Sequence, residues 1–203
     1  MKKNHLRNFS YVITSLFLSS YWLLSTYAQF LGFLATHKVS VLLMTICQGV
    51  VGVLFFIRKS PKSVSGNVFE TIIAFAGTFA ILFYRPSAGA ETLIGEIIVI
   101  IGALVLLYSL LSLNTSFGII PANRGIKTHG MYHLVRHPIY MSYIIFYVAY
   151  CINNPTLYNG IVLISAFLLE CIRIIFEEKH LSLDPLYVEY KKKVKYRLIP
   201  FIF

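Results

Sequence analysis

The sequence predicts an all-α integral membrane protein, a bundle of five to six transmembrane helices that ends in a C-terminal helical hairpin. Three observations carry that prediction. The chain of 203 residues is 57% hydrophobic and only 13% charged, where a soluble domain has about 25% charged residues. Its apolar residues fall into runs of spanning length, separated by short polar or basic breaks. Its lysines and arginines sit at the ends of those runs. The net charge of +10 is therefore read as juxtamembrane anchoring on an anionic leaflet, and no nucleic-acid partner is expected.

A short basic start (Lys2, Lys3, Arg7) leads into an apolar run from Phe9 to Ala35. Thr26-Tyr27-Ala28 resembles a leader cleavage site, but the run continues well beyond a leader's apolar core, so an uncleaved first span is expected. His37-Lys38 makes a tight connection, and Val39 to Ile57 forms a second span on which Gly49 and Gly52 mark a thin face for a neighbouring helix. Arg58 to Asn67 is a basic loop. Val68 to Tyr84 is a third, shorter span, Arg85 to Gly89 a turn, and Glu91 to Leu113 a fourth span. Gly95, Gly102 and Ser109 recur there at heptad spacing as a helix-packing stripe. Asn114 to His137 is a long mixed loop. Pro138 opens a helix to about Ile152, in the first-turn position that proline tolerates. Asn153-Asn154-Pro155 turns the chain into a last helix, Thr156 to about Leu181, followed by a polar, basic tail.

Basic residues collect at alternate connections: the N-terminus, Arg58 to Lys62, Arg124 to Arg136, and the tail. Six crossings with both termini cytoplasmic satisfy that pattern, and a five-span variant with a partial final hairpin also fits. The chain is expected to form one integrated membrane domain, with residues 1–113 as a four-helix part and residues 114–203 as a functional C-terminal part. Cys47, Cys151 and Cys171 show no paired or metal-binding spacing and read as inert thiols.

Two polar islands interrupt this apolar chain, and both fall on the cytoplasmic side: Gly130 to Tyr140 (GMYHLVRHPIY) and Arg173 to His180 (RIIFEEKH). Ionisable groups at such positions must be paired or face a wet cavity, which makes them functional candidates. Glu170, Arg173 and Glu177 share nearly one helix face. His129, His133 and His137 are spaced like metal ligands on a helix, and Glu177-x-x-His180 resembles half of a di-iron ligand set. Gly130 and Pro138 break any helix through the histidines and no second Glu-x-x-His exists, so no metal is expected. Tyr140, Tyr143, Tyr147 and Tyr150 form a stripe on one face, with Tyr140 beside the polar island, where its ring can hold a cation.

GMYHLVRHPIY, then RIIFEEKHL, then Tyr187, Tyr190, Val194, Arg197 and Pro200 resemble the isoprenylcysteine carboxyl methyltransferase family, whose wider relatives include phospholipid N-methyltransferases. The resemblance covers the chain from Phe117 onward. It departs from the family pattern at Met131, where proline is common, and at Ser142, where glycine is common. It implies a multi-spanning enzyme with a cytoplasm-facing pocket for S-adenosyl-L-methionine. Tyr132, Val135, Arg136, His137, Pro138 and Tyr140 would line that pocket. Glu177 and Glu178 would hold polar groups of the cofactor, and Arg173 would face the substrate side.

The residue chemistry suits that expectation. The cofactor needs carboxylate acceptors, donors for its own carboxylate and a flat slot for adenine; Glu177 and Glu178, Arg136 and His137, and Tyr132, Pro138 and Tyr140 supply these in turn. No glycine-rich nucleotide loop is present. A carboxylate acceptor needs only alignment, desolvation and an orienting cation, for which Arg173 suits. An amine acceptor needs a base, with Glu177 or His180 as candidates. Carboxyl methylation of an isoprenylcysteine-like or other lipidic substrate entering from the bilayer is the first expectation. A phospholipid amine N-methyltransferase is the second, with a small thiol also open as acceptor, and a di-iron membrane oxidase or hydroxylase is the alternative of another class.

Overall fold

The long helices are set by apolar runs bounded by capping residues, and a computed structural model describes them for residues 2–86 and 92–200. Helix α1 covers Lys2–Thr36 and α2 covers Val39–Ile57. His37 takes φ +52 at the turn between them. Their close approach rests on small residues: Ser19 Oγ donates to the Gly52 carbonyl at 2.9 Å, and a Cβ on Gly52 would lie 2.9 Å from the Leu23 side chain. Without water to drive apolar groups together, such close van der Waals contact is what holds helices to one another in lipid.

Helix α3 (Val68–Phe79) is capped by the Asn67 side chain and tightens into a 3₁₀ turn at Ala80–Phe83. Thr92 caps α4 (Leu93–Leu113) by accepting from Gly95 N at 3.0 Å. The predicted stripe on α4 is buried: Gly102 lies against the Phe146 ring of α5, and Ser109 is fully enclosed. Pro138 begins α5 (Pro138–Asn153), Thr156 caps α6 (Leu157–Leu181), and Asp184 caps α7 (Pro185–Lys193). The rest of the turn expected at Arg85 to Gly89, and Glu91 as the start of the fourth span, lie outside the described residues.

The core runs between α2, α4 and α5 around Phe55, Ala103, Leu110 and Phe146. The outer surface is apolar, with Phe17, Leu24, Leu93 and Leu157 each at least 70% exposed. Such a surface is unsuited to water and suited to lipid. Among the described residues, three helical segments are long and apolar enough to cross a membrane: Val39–Ile57, Leu93–Ser116 and Leu157–Leu181. This is fewer than the five to six expected. Val68–Phe83 and Pro138–Asn153 are apolar but shorter, while α1 has the length but interleaves Ser15, Ser19, Thr26 and Gln29 among its apolar residues. The C-terminal hairpin is also looser than expected, because α5 packs mainly along α4 and α6 mainly along α3.

Two features were not expected from the sequence. Helix α7 forms within the basic tail, burying Tyr187 and Tyr190 on one face. A two-residue antiparallel ladder joins β1 (Ser63–Val64) to β2 (Ala122–Asn123), pairing Ser63 with Asn123. That ladder ties the loop after α2 to the loop after α4, and so helps to place the segment that carries the site.

Candidate active site

The loop before α5 gets its path from two glycines. Gly130 adopts φ +61 and lies so close to Ser112 of α4 that no side chain fits there. Gly125 adopts φ +103. Both are left-handed conformations that other residues adopt at a cost. The chain then makes a 3₁₀ turn at Gly130–His133 before Pro138 starts α5. The tail closes over this loop: Arg136 N donates to the Tyr196 carbonyl at 3.0 Å and His137 N to the Arg197 carbonyl at 2.9 Å. Tyr190 donates its hydroxyl to the Tyr132 carbonyl at 2.6 Å.

Glu178 is the hub of this closure. Its carboxylate accepts from Arg136 Nε at 2.6 Å and Arg197 Nε at 3.1 Å, and lies 3.3 Å from His137 Nε2. Tyr187 approaches it at 3.5 Å. Arg136 spends a further nitrogen on the carbonyls of Val194 and Lys195. Arg136, His137 and Glu178 are each at most 8% exposed. Charges buried this deeply persist only when paired and hydrogen-bonded, and here they are.

Beside the clasp lies a cavity of about 1090 Å³, counting its open mouth. Its lining includes Tyr132, Arg136, His137, Tyr140 and Glu177, with Arg124 and Lys127 from the preceding loop. Trp22, Val51 and Phe55 of α1 and α2 complete it. Tyr140 donates to Glu177 Oε2 at 2.8 Å. Arg173 bonds both oxygens of Glu170, at 3.0 and 2.9 Å, and its guanidinium carbon sits 5.2 Å from the Tyr140 ring centre. Gly77 of α3 makes room for the Arg173 stem. Burial pushes the hydroxyls of Tyr132, Tyr187 and Tyr190 above the usual tyrosine range, so these stay neutral donors.

Among the residues singled out from sequence, Tyr132, Arg136, His137, Tyr140, Arg173 and Glu177 line this one cavity. Val135 and Pro138 are fully enclosed behind it and shape the wall from within. The Glu178 carboxylate turns toward Arg136 and the tail, away from the lining. Arg173 pairs with Glu170, one of the two glutamates expected on its face. His129 and His133 are exposed while His137 is buried, so the three histidines share no face. His180 lies 3.0 Å from Ser63 Oγ and outside the lining. Among the described residues no group of three or more His, Cys, Asp or Glu side chains is arranged to hold a metal. The N-terminal lining residues and Arg124 were not anticipated. The only sequence signal for Arg124 was its place in a basic loop, and Trp22 carried none beyond being the single tryptophan.

Residues 88–184 match the phospholipid methyltransferase family. The matched part is just under half of the chain, and that family is one of the membrane methyltransferase group that the two polar islands resemble. It implies methyltransferase activity in a membrane protein. The match begins before α4, earlier than the resemblance from Phe117 onward, and stops at Asp184. The methyltransferase-type segment thus supplies the polar wall of the cavity from the loop, α5 and α6. Trp22, Val51, Phe55 and Thr78 on one side, and Tyr187 and Tyr190 on the other, come from outside it. No curated protein matches the chain.

Proposed function

We propose that the protein transfers a methyl group from S-adenosyl-L-methionine to a lipidic acceptor at the cytoplasmic face of a membrane. The observation that carries this reading is that one cavity is lined both by the polar side chains of Tyr132, Tyr140 and Glu177 and by the apolar ones of Val51 and Phe55, with Trp22 beside them. A cofactor from water and an acceptor from the bilayer require such a junction. The cytoplasmic side is inferred from basic residues: Arg124 and Lys127 line the cavity, and basic connections favour the cytoplasmic face.

The residues fit the cofactor. Glu177 offers a carboxylate at the lining for ribose hydroxyls or the amino group, and the Tyr132 and Tyr140 rings offer flat faces for adenine. Arg136 and His137 are bonded to Glu178, and Arg136 also to the tail, so they contribute a rigid wall. When bound, the cofactor supplies an electrophilic methyl group on a sulfonium. The chain's own task is then to align the acceptor in line with that methyl and to exclude water. Arg173 is suited to orient an acceptor oxyanion, held in place by Glu170 below and Tyr140 above.

Carboxyl methylation of an isoprenylcysteine-like acceptor needs no base, since a carboxylate is already ionised at neutral pH. A phospholipid headgroup amine is the second reading, favoured by the family matched at residues 88–184. It needs a proton acceptor, and Glu177 lines the cavity where His180 does not.

The test is calorimetric titration of the detergent-solubilised protein with S-adenosyl-L-methionine. Saturable binding is expected, weakened about tenfold by Tyr140→Phe, which removes a hydrogen bond to a charged group. Absence of binding by wild-type protein rejects the reading. Incubation of membranes with methyl-labelled cofactor, followed by identification of the labelled lipid, separates the two acceptors.

A further inference from the structure

Four buried side-chain polar atoms have no hydrogen-bond partner among the described residues: Trp22 Nε1, Arg124 Nε, Arg173 Nε and Gln48 Oε1. The first three are N–H donors, and all three residues line the cavity described above. The carboxylate lining that cavity, Glu177, accepts from Tyr140 and not from any of these three donors. Buried donors are nearly always paired in folded proteins. Three unpaired ones around one cavity therefore describe the chemistry of its occupant, which must bring acceptors.

The two cationic donors differ in what else holds them. Arg173 is bound through its remaining nitrogens to Glu170 and, at 3.4 Å, to the Ile119 carbonyl. Arg124 lies against Gly118, where a Cβ would come within 2.6 Å of Nη1. Its guanidinium shares a hydrogen bond with Tyr11, and its carbonyl accepts from Ser116 Oγ at 3.2 Å. No carboxylate forms an ion pair with Arg124 among the described residues. Glu177 attracts the Arg124 guanidinium without bonding it, and Lys127 also lines the cavity, so the lining carries more cationic than acidic side chains. Tyr11, which bonds the carbonyls of Arg58 and Lys59, and Trp22 are about 16 Å apart along α1.

We propose that Arg124 and Trp22 bind the methyl acceptor, Arg124 taking an oxyanion of its headgroup and Trp22 an oxygen further toward its chain. This deepens the methyltransferase reading and rests on it for the word acceptor. Neither residue belongs to the motifs that carried the family resemblance, and Trp22 lies outside the matched segment. Selection of the acceptor is thereby shared with the N-terminal helices. The oxyanion chemistry is common to a phosphodiester and a carboxylate, and the experiment separates them.

Trp22 is the only tryptophan in the chain, so its fluorescence reports on this cavity directly. The purified full-length protein in detergent is titrated with three probes that share one brominated acyl chain: a lysophosphatidylethanolamine, a free fatty acid and a neutral monoacylglycerol. At least one of the two oxyanion-bearing probes is expected to quench Trp22 at about tenfold lower concentration than the neutral one, as one charge-assisted hydrogen bond allows. The more potent of the two identifies the phosphodiester or the carboxylate as the preferred source. Arg124→Gln is expected to remove the preference, and Arg124→Lys to keep part of it. Equal quenching by all three probes, or an unchanged preference in a folded Arg124→Gln protein, overturns the proposal. If Arg124→Gln does not fold, the wild-type headgroup comparison and Arg124→Lys decide. Cofactor calorimetry in the absence of lipid keeps the two readings apart: headgroup preference without cofactor binding sinks the methyltransferase and spares the lipid site, and cofactor binding without preference does the reverse.

Discussion

Arg136 Nε donates to Glu178 Oε1 at 2.6 Å, while the other oxygen of the same carboxylate holds Arg197 Nε at 3.1 Å. One glutamate of α6 thus binds the loop before α5 and the C-terminal tail together. Glu178→Gln keeps the shape but leaves the buried Arg136 without its countercharge. Breaking one partner of a buried pair costs about 3–5 kcal/mol. The expected result is a markedly lower melting temperature in detergent, with earlier proteolysis of the tail. An unchanged melt together with an unchanged tail would show that the clasp contributes nothing.

Gly130 combines φ +61 with a Cβ position that falls 2.9 Å from the Ser112 Cβ. Gly130→Ala meets both the left-handed backbone penalty, roughly 1–2 kcal/mol, and a collision with α4. Gly66 has open space around it and no left-handed backbone. Gly66→Ala is therefore expected to stay within about 0.5 kcal/mol of wild type, whereas Gly130→Ala loses stability and, with the loop displaced, weakens binding at Tyr132. Thermal unfolding of the two variants side by side makes the comparison.

Asp184 caps α7 by accepting from Leu186 N at 3.0 Å, and accepts from Asn123 Nδ2 at 2.7 Å. Those bonds, the Asn123 one foremost, hold its carboxyl below the usual carboxylate range. A carboxyl with a lowered folded value stabilises the fold above its ordinary value, about 3.9, and loses that contribution as pH falls through the lowered one. Hydrogen exchange of α7 amides is expected to rise as pH drops through this window, beyond the intrinsic trend, and Asp184→Asn is expected to flatten the change. No difference between wild type and variant across the window would remove Asp184 as its source.

Much of the helical frame was legible because its signals are local. The apolar run from Val39 to Ile57 and the proline at 138 each define an element with its neighbours alone. The small-residue stripe on α4 could be read because heptad spacing places residues on one face whatever packs there. Helix α7 escaped notice because Lys191, Lys192 and Lys193 hide the three-residue spacing of Tyr187 and Tyr190, whose burial comes from the loop they cover. The ladder between β1 and β2 is too short to leave a periodic signal.

The sequence by itself determined that this is an apolar, helical protein with two polar islands carrying an arginine, histidines, tyrosines and paired glutamates. Composition and spacing are properties of single segments, and the islands stand out because lipid penalises unpaired charge. The tertiary structure decided which charges answer which. Glu178 serves Arg136 and the tail, Arg173 serves Glu170, and Glu177 remains at the cavity with Tyr140. It also brought Trp22 and Arg124 to one cavity from distant parts of the chain. Such pairings depend on which helices lie side by side, and helix contacts in lipid are chosen by close packing between surfaces, which no local pattern encodes.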